Sequence, residues 1–299
     1  MVQQRTKPWH GVLVATALPM RSDLSVDLDA YAEHVRWLAD SGCHGVAPNG
    51  SLGEYQTLSD DERAAVVRTA VEAAPPGFTV MPGVAAYGAA QARGWAEQAA
   101  QAGAPCVMLL PPNTYRADSR AVLEHYRTVA QVGLPIIAYN NPIDTKVDLT
   151  PAMLGQLHAE GLIVAIKEFT GDSRRAYEIA EAAPGLDILI GSDDTVLEVG
   201  IAGAKGWVAG FTNAFPRTTV AMYEASISQD VSAALPVYRQ LHELMRWDSQ
   251  TEFVQAIKLS MDIVGRYGGP TRHPRMPLSA ADSARVRELT EKALADGMG

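Results

Sequence analysis

Cysteine is scarce in this chain: two in 299 residues. Cys43 and Cys106 are far apart and in no metal-ligand spacing, so each reads as a small buried hydrophobe. Positive charge is in deficit too, with a formal net charge of −9, which excludes the basic stripe of a nucleic-acid binder. No apolar run approaches the ~18 residues of a membrane span. Residues 1–10 carry no apolar stretch of a secretory leader, so a soluble cytoplasmic protein is expected. No Gly-x-Gly-x-x-Gly follows the first strand, which disfavours a doubly wound dinucleotide-binding sheet. Histidines are few and badly placed for a metal. His34, His125 and His158 fall on helices and His44 precedes a strand, so no metal site is expected.

Apolar residues are plentiful, at 47%, enough for a large core. Short apolar runs closed by Gly or Pro predict strands over 11–17, 45–48, 78–81, 106–110, 135–139, 187–190 and 205–209, with one more around Lys167. Helical spacing separates them, over 27–41, 59–74, 89–102, 119–132, 150–161, 172–183 and 195–202. Ser59 and Glu62 form a capping box, and Thr150 caps a helix with Pro151 at its first position. Eight strands alternating with helices, with no hairpin signal, predict an α/β chain folded as a (β/α)8 TIM barrel. The pattern after Pro216 is helical only, over 217–228, 231–246, 250–265 and 280–295. We therefore divide the chain into a barrel over 1–228 and a C-terminal helical appendage over 229–299, packed outside the barrel as one structural unit with it.

Lys167 ends the apolar run Leu162-Ile163-Val164-Ala165-Ile166. Alternation puts Ile163, Ala165, Lys167 and Phe169 on one face of a buried strand. A lysine there is either reactive, or a side chain that snorkels to water or pairs with Glu168. Barrel enzymes work at the C-terminal strand ends. Four other stretches converge there: Gly50-Ser51-Leu52-Gly53-Glu54, Tyr139-Asn140-Asn141-Pro142, Gly191-Ser192-Asp193, and the end of the eighth strand with Val208 and Gly210. An amine, a phenol, a hydroxyl and glycine-rich turns suit Schiff-base chemistry. The phenol shuttles protons, and the serine with free backbone N–H groups holds a carboxylate. Each piece alone has a plain structural reading: a core tyrosine, a tight turn, packing glycines.

In combination and order these stretches resemble the dihydrodipicolinate synthase/N-acetylneuraminate lyase family of class I aldolases. The family turn Gly-Thr/Ser-Thr-Gly-Glu is similar to 50–54, its Tyr-Asn-x-Pro to 139–142, and its imine lysine to Lys167. The resemblance implies Lys167 as the imine-forming lysine and Tyr139 as the proton relay, with Gly50, Ser51, Leu52, Asn140, Asp144, Gly191, Asp193, Val208 and Gly210 around the substrate. It also implies a homotetramer that uses no metal or organic cofactor, only the covalent imine, on a pyruvate-like 2-oxo or 2-imino acid. Three positions depart from the family pattern. Leu52 replaces the second hydroxyl of the turn. The family tyrosine after strand four has no clear match, with Pro112 and Asn113 in its region and Tyr115 just beyond. Asp144 stands where lysine-pathway members present an arginine.

The expected activity is thus a lyase acting by aldol cleavage or addition, dehydration or deamination. One alternative is 4-hydroxy-tetrahydrodipicolinate synthesis from pyruvate and aspartate semialdehyde, which Leu52 and Asp144 disfavour. Another is a barrel that only binds a small acid. A phosphate site after strands seven and eight is disfavoured by Asp193 and Asp194.

Overall fold

The computed structural model describes residues 6–112 and 116–299. Its strands are β1 Gly11–Ala15, β2 Gly45–Ala47, β3 Thr79–Val80, β4 Val107–Leu109, β5 Ile136–Asn140, β6 Ala165–Glu168, β7 Asp187–Ile190 and β8 Gly206–Ala209. Every residue in them is buried, as a parallel sheet covered on both faces requires. They pair in parallel in the order β3-β2-β1-β8-β7-β6-β5-β4. The remaining seam, β3 to β4, closes through the bridge between Gly83 and Met108. The bonds there are Met108 N to Pro82 O and Val84 N to Met108 O, each 2.9 Å. Gly83 also lies against the turn after β2, where a Cβ would come within 2.4 Å of Asn49 O. The TIM barrel expected from the sequence is therefore present, with strands mostly one or two residues shorter than their apolar runs.

The helices are α1 Leu28–Asp40, α2 Asp60–Ala73, α3 Ala89–Gln101, α4 Ser119–Ala130, α5 Pro142–Thr145, α6 Pro151–Ala159, α7 Arg174–Ala182, α8 Val196–Ile201, α9 Pro216–Ile227, α10 Val231–Met245, α11 Phe253–Ile263 and α12 Ala280–Ala295. Ser59 and Glu62 form the expected capping box on α2, and Thr150 caps α6 with Pro151 in its first turn. One helix was not foreseen. Pro142 does end β5, but it also opens the short α5, where a missing N–H is no handicap, and Asn141 caps it through its side chain.

Of the C-terminal helices, α10 packs against α9 and α12 against α11. α11 and the segments on either side of it reach over the barrel mouth. The carboxylate of Glu54, in the turn after β2, accepts from Lys258 Nζ of α11 at 2.8 Å and from the backbone N–H of Arg272 at 2.9 Å. Among the described residues no helix is long and apolar enough to cross a membrane.

Candidate active site

A cavity of about 1040 Å³ opens at the C-terminal ends of the strands. Lys167 stands at its base, only 6% exposed. The register of β5 and β6 sets Tyr139 beside Lys167, so both side chains leave the sheet on the same face. The amine lies 4.3 Å from the centre of the Tyr139 ring and 5.4 Å from that of Phe169. It therefore sits against aromatic surface and does not snorkel to water. Nor does it pair with Glu168, whose carboxylate is engaged by Asn140 Nδ2 and the Thr170 N–H behind the strand.

Burial lowers the pKa of Lys167 to about 8, with the charges of Asp248 and Asp193 working against that fall. Burial raises the Tyr139 phenol well above its ordinary value, with the Asn141 hydrogen bond opposing. Asn141 Nδ2 donates to the Tyr139 hydroxyl at 3.3 Å and to Asp144 Oδ2 at 2.8 Å. Asp144 is exposed and lines the cavity, with its carboxylate held by Asn141.

Of the residues expected around the substrate, Gly50, Ser51, Leu52, Asp144, Val208 and Gly210 line the cavity with Lys167 and Tyr139. Three expected residues do not, and each has a structural task. Asn140 alternates to the far side of β5, where its side chain donates to Asp148 and Glu168 and accepts from the Leu149 N–H. Gly191 is a packing glycine, since a Cβ there would lie 2.2 Å from Glu168 O. Asp193 is fully buried and accepts from Trp207 Nε1 and the N–H groups of Gly210 and Phe211, which fixes the end of β8. Burial raises its pKa to about 6, opposed by those N–H groups and by Lys167. Asn113 and Tyr115 lie outside the described residues.

Two further groups at this site lie outside every motif read above. Asp248 comes from the C-terminal helices, 8% exposed, and faces the cavity near Lys167. Arg63 of α2 lies over Trp95, 4.1 Å from its ring centre, and also lines the cavity. No local pattern announces either residue, because both belong to the site through tertiary packing alone.

The dihydrodipicolinate synthetase family matches residues 8–293. A 4-hydroxy-tetrahydrodipicolinate synthase of Methanothrix thermoacetophila is 32% identical, over 95% of this chain and 97% of its own. A DapA-like lyase of Rhizobium meliloti is also 32% identical, over 94% of each chain. Among solved structures, a dihydrodipicolinate synthase from Acinetobacter baumannii complexed with pyruvate superimposes with a TM-score of 0.91 at 25% identity, covering 96% of this chain and 99% of that one. With a barrel of this topology and a match across nearly its whole length, the chain belongs to the dihydrodipicolinate synthetase family and is a lyase of that family.

Proposed function

We propose that the chain acts by forming an imine between Lys167 and the 2-oxo (or 2-imino) carbon of a pyruvate-like acid. The observation that carries this reading is the amine itself: buried, held against the Tyr139 and Phe169 rings at the base of the cavity, with a lowered pKa. The neutral amine attacks the carbonyl carbon, and the Tyr139 hydroxyl moves the protons needed to expel water from the carbinolamine. Ser51 and the backbone N–H groups of the 50–53 turn hold the substrate carboxylate. The cationic imine is itself the electron sink, so the chemistry calls for no organic cofactor or metal. Bond cleavage or formation at the neighbouring carbon then gives aldol, dehydration or deamination products.

Pyruvate bound to the Acinetobacter relative supports the substrate class. Condensation with aspartate semialdehyde, the second reading, is favoured by the name of the Methanothrix relative. The carboxylate of Asp144 at the rim and the hydrocarbon of Leu52 weigh against it. We read the protein as a cytoplasmic homotetramer, on its likeness to the family. Borohydride reduction with pyruvate, followed by peptide mass spectrometry, tests the central claim. A reduced adduct on Lys167 is expected; label on another lysine, or none, refutes it. Gel filtration with light scattering tests the tetramer.

A further inference from the structure

Asp248 lies in the single turn Arg246–Ser249 that joins α10 to α11 and projects its carboxylate into the barrel mouth. Its Oδ2 accepts the Asp193 N–H at 3.4 Å. Its Oδ1 stands 2.4 Å from where a Cβ on Gly210 would be, so Gly210 is the gap that admits it to the ends of β7 and β8. Lys167 is the cation that faces it, while Asp193 and Asp194 bring further negative charge. Nothing about the fold asks for a carboxylate here. Asp193 already anchors β8 through three hydrogen-bonded groups, whereas among the described residues Asp248 accepts one long bond, and it lines the cavity. Burying a second carboxylate beside the first is unfavourable, and such arrangements concentrate at working sites.

The strand order supplies the rest. Lys167 on β6 has the Tyr139 phenol on its β5 side, and Asp248 lies on its β7–β8 side. Two proton carriers thus flank one amine from opposite directions. Leu52 on the cavity wall carries no exchangeable proton.

We infer that Asp248 is a catalytic residue, the base that removes the proton from the carbon adjacent to the Lys167 imine and later returns it. This rests on the imine reading above. The C–H bond breaks and its proton passes to the Asp248 carboxylate. The C–H electron pair forms a carbon–carbon double bond to the imine carbon, and the imine π pair returns to the Lys167 nitrogen. The products are a neutral enamine and a neutral Asp248 carboxyl, and the reverse step restores both. Burial, with Asp193 alongside, raises this acid well above the usual carboxylate range, opposed by the charge on Lys167, which makes it a stronger base than a surface aspartate.

The test compares wild type, Asp248→Asn and Asp248→Ala with pyruvate. Borohydride trapping at Lys167 counts imine, and loss of the pyruvate methyl proton signal in D2O counts proton removal. Their ratio does not depend on how much of a variant folds, because both are read on the imine-forming fraction. Both variants are expected to trap pyruvate while exchange per imine falls by about 10²-fold or more, and formate is expected to restore part of the exchange in Asp248→Ala. Exchange per imine at the wild-type rate overturns the assignment. So does loss of trapping in both variants, which makes Asp248 a structural support for Lys167. A wild type that traps no pyruvate at all overturns the imine reading and this inference with it.

Discussion

At the scale of single residues, Lys167 and its neighbours allow a pH prediction. An ordinary lysine near 10.4 is neutral in about one molecule in 2,500 at pH 7, whereas a pKa of about 8 leaves roughly one in ten neutral. Imine formation should therefore rise about tenfold per pH unit below 8 and level off above it. Borohydride inactivation rates measured across pH 6–10 check this, and a rise that continues unbroken to pH 10 contradicts the buried amine. Tyr139→Phe keeps the ring against the amine but removes the hydroxyl. It should slow turnover by about 10²-fold, with imine formation slowed as well, which separates it from Asp248→Asn. A variant at wild-type turnover leaves Tyr139 as packing. Asp144 sets the third test. Its carboxylate is exposed, so water weakens its repulsion, yet it offers no attraction to a second substrate carboxylate. Wild type should condense pyruvate with aspartate semialdehyde poorly, and Asp144→Arg should gain about tenfold or more in a coupled assay. Efficient condensation by wild type rejects this account of specificity.

At the scale of elements, the strands and helices were readable because each apolar run or amphipathic period is local, and Ser59, Glu62 and Thr150 mark helix starts by side-chain chemistry. Lys167 was legible for a related reason: a charge at the end of an apolar strand breaks the pattern around it. Contacts between distant segments left no such trace. Asn140 looked like a site residue because it adjoins Tyr139, but strand alternation turns it to the other face. Residues 7–10, in a stretch whose sequence says only that it is no apolar leader, brace the bottom of the barrel. Trp9 Nε1, His10 Nε2 and Lys7 Nζ all reach Asp187 Oδ2 at the start of β7, at 2.8, 2.9 and 3.1 Å, and Thr79 of β3 donates to Pro8 O. Burial works to raise the Asp187 pKa, but these three partners prevail and hold it well below the ordinary value. A depressed carboxylate pKa contributes stability above the unfolded value near 4, and that stability is lost as pH falls through the folded value. Asp187→Asn should therefore destabilise the barrel by about 1.5–3 kcal/mol at pH 7, the range for hydrogen bonds to a charged group. The gap from wild type should narrow below about pH 4. Denaturant titrations at pH 7 and pH 3 measure both, and an equal gap at the two values rules out the charged brace.

At the scale of the whole molecule, the site depends on how the C-terminal helices hold the barrel. Asp248 reaches the cavity from the α10–α11 turn, and Arg275, farther along the chain, also lines it. The most deeply buried ion pair between the two parts, among the described residues, is Glu54–Lys258, at 2.8 Å with side chains 0% and 2% exposed. Glu54 closes the same turn that carries Ser51, and it adopts a left-handed backbone there with φ of 54°. Lys258 also donates to Pro270 O, and Arg272 N–H completes the carboxylate's shell. A pair this deep adds little net stability over an apolar substitute, because both charges lose their water. Removing one partner is another matter, since the remaining charge stays buried and unpaired, at a cost of about 3–5 kcal/mol. Lys258→Met should therefore lower the melting temperature by about 6–10 °C, taking about 2 °C per kcal/mol for a chain of this size. It should also raise KM for pyruvate, because the Ser51 turn loses its anchor, while leaving the Lys167 amine and its neighbours in place. The double variant Glu54→Gln with Lys258→Met should recover part of the lost stability, because no charge is then stranded, and the coupling between the two changes should exceed 1 kcal/mol, in the range for residues in direct contact. Thermal melts on Glu54→Gln, Lys258→Met and the double variant, with steady-state kinetics on those that fold, check each part. Additive losses, or a Lys258→Met protein that melts with wild type, show that the barrel and its C-terminal helices are held together by their other contacts and not through this pair.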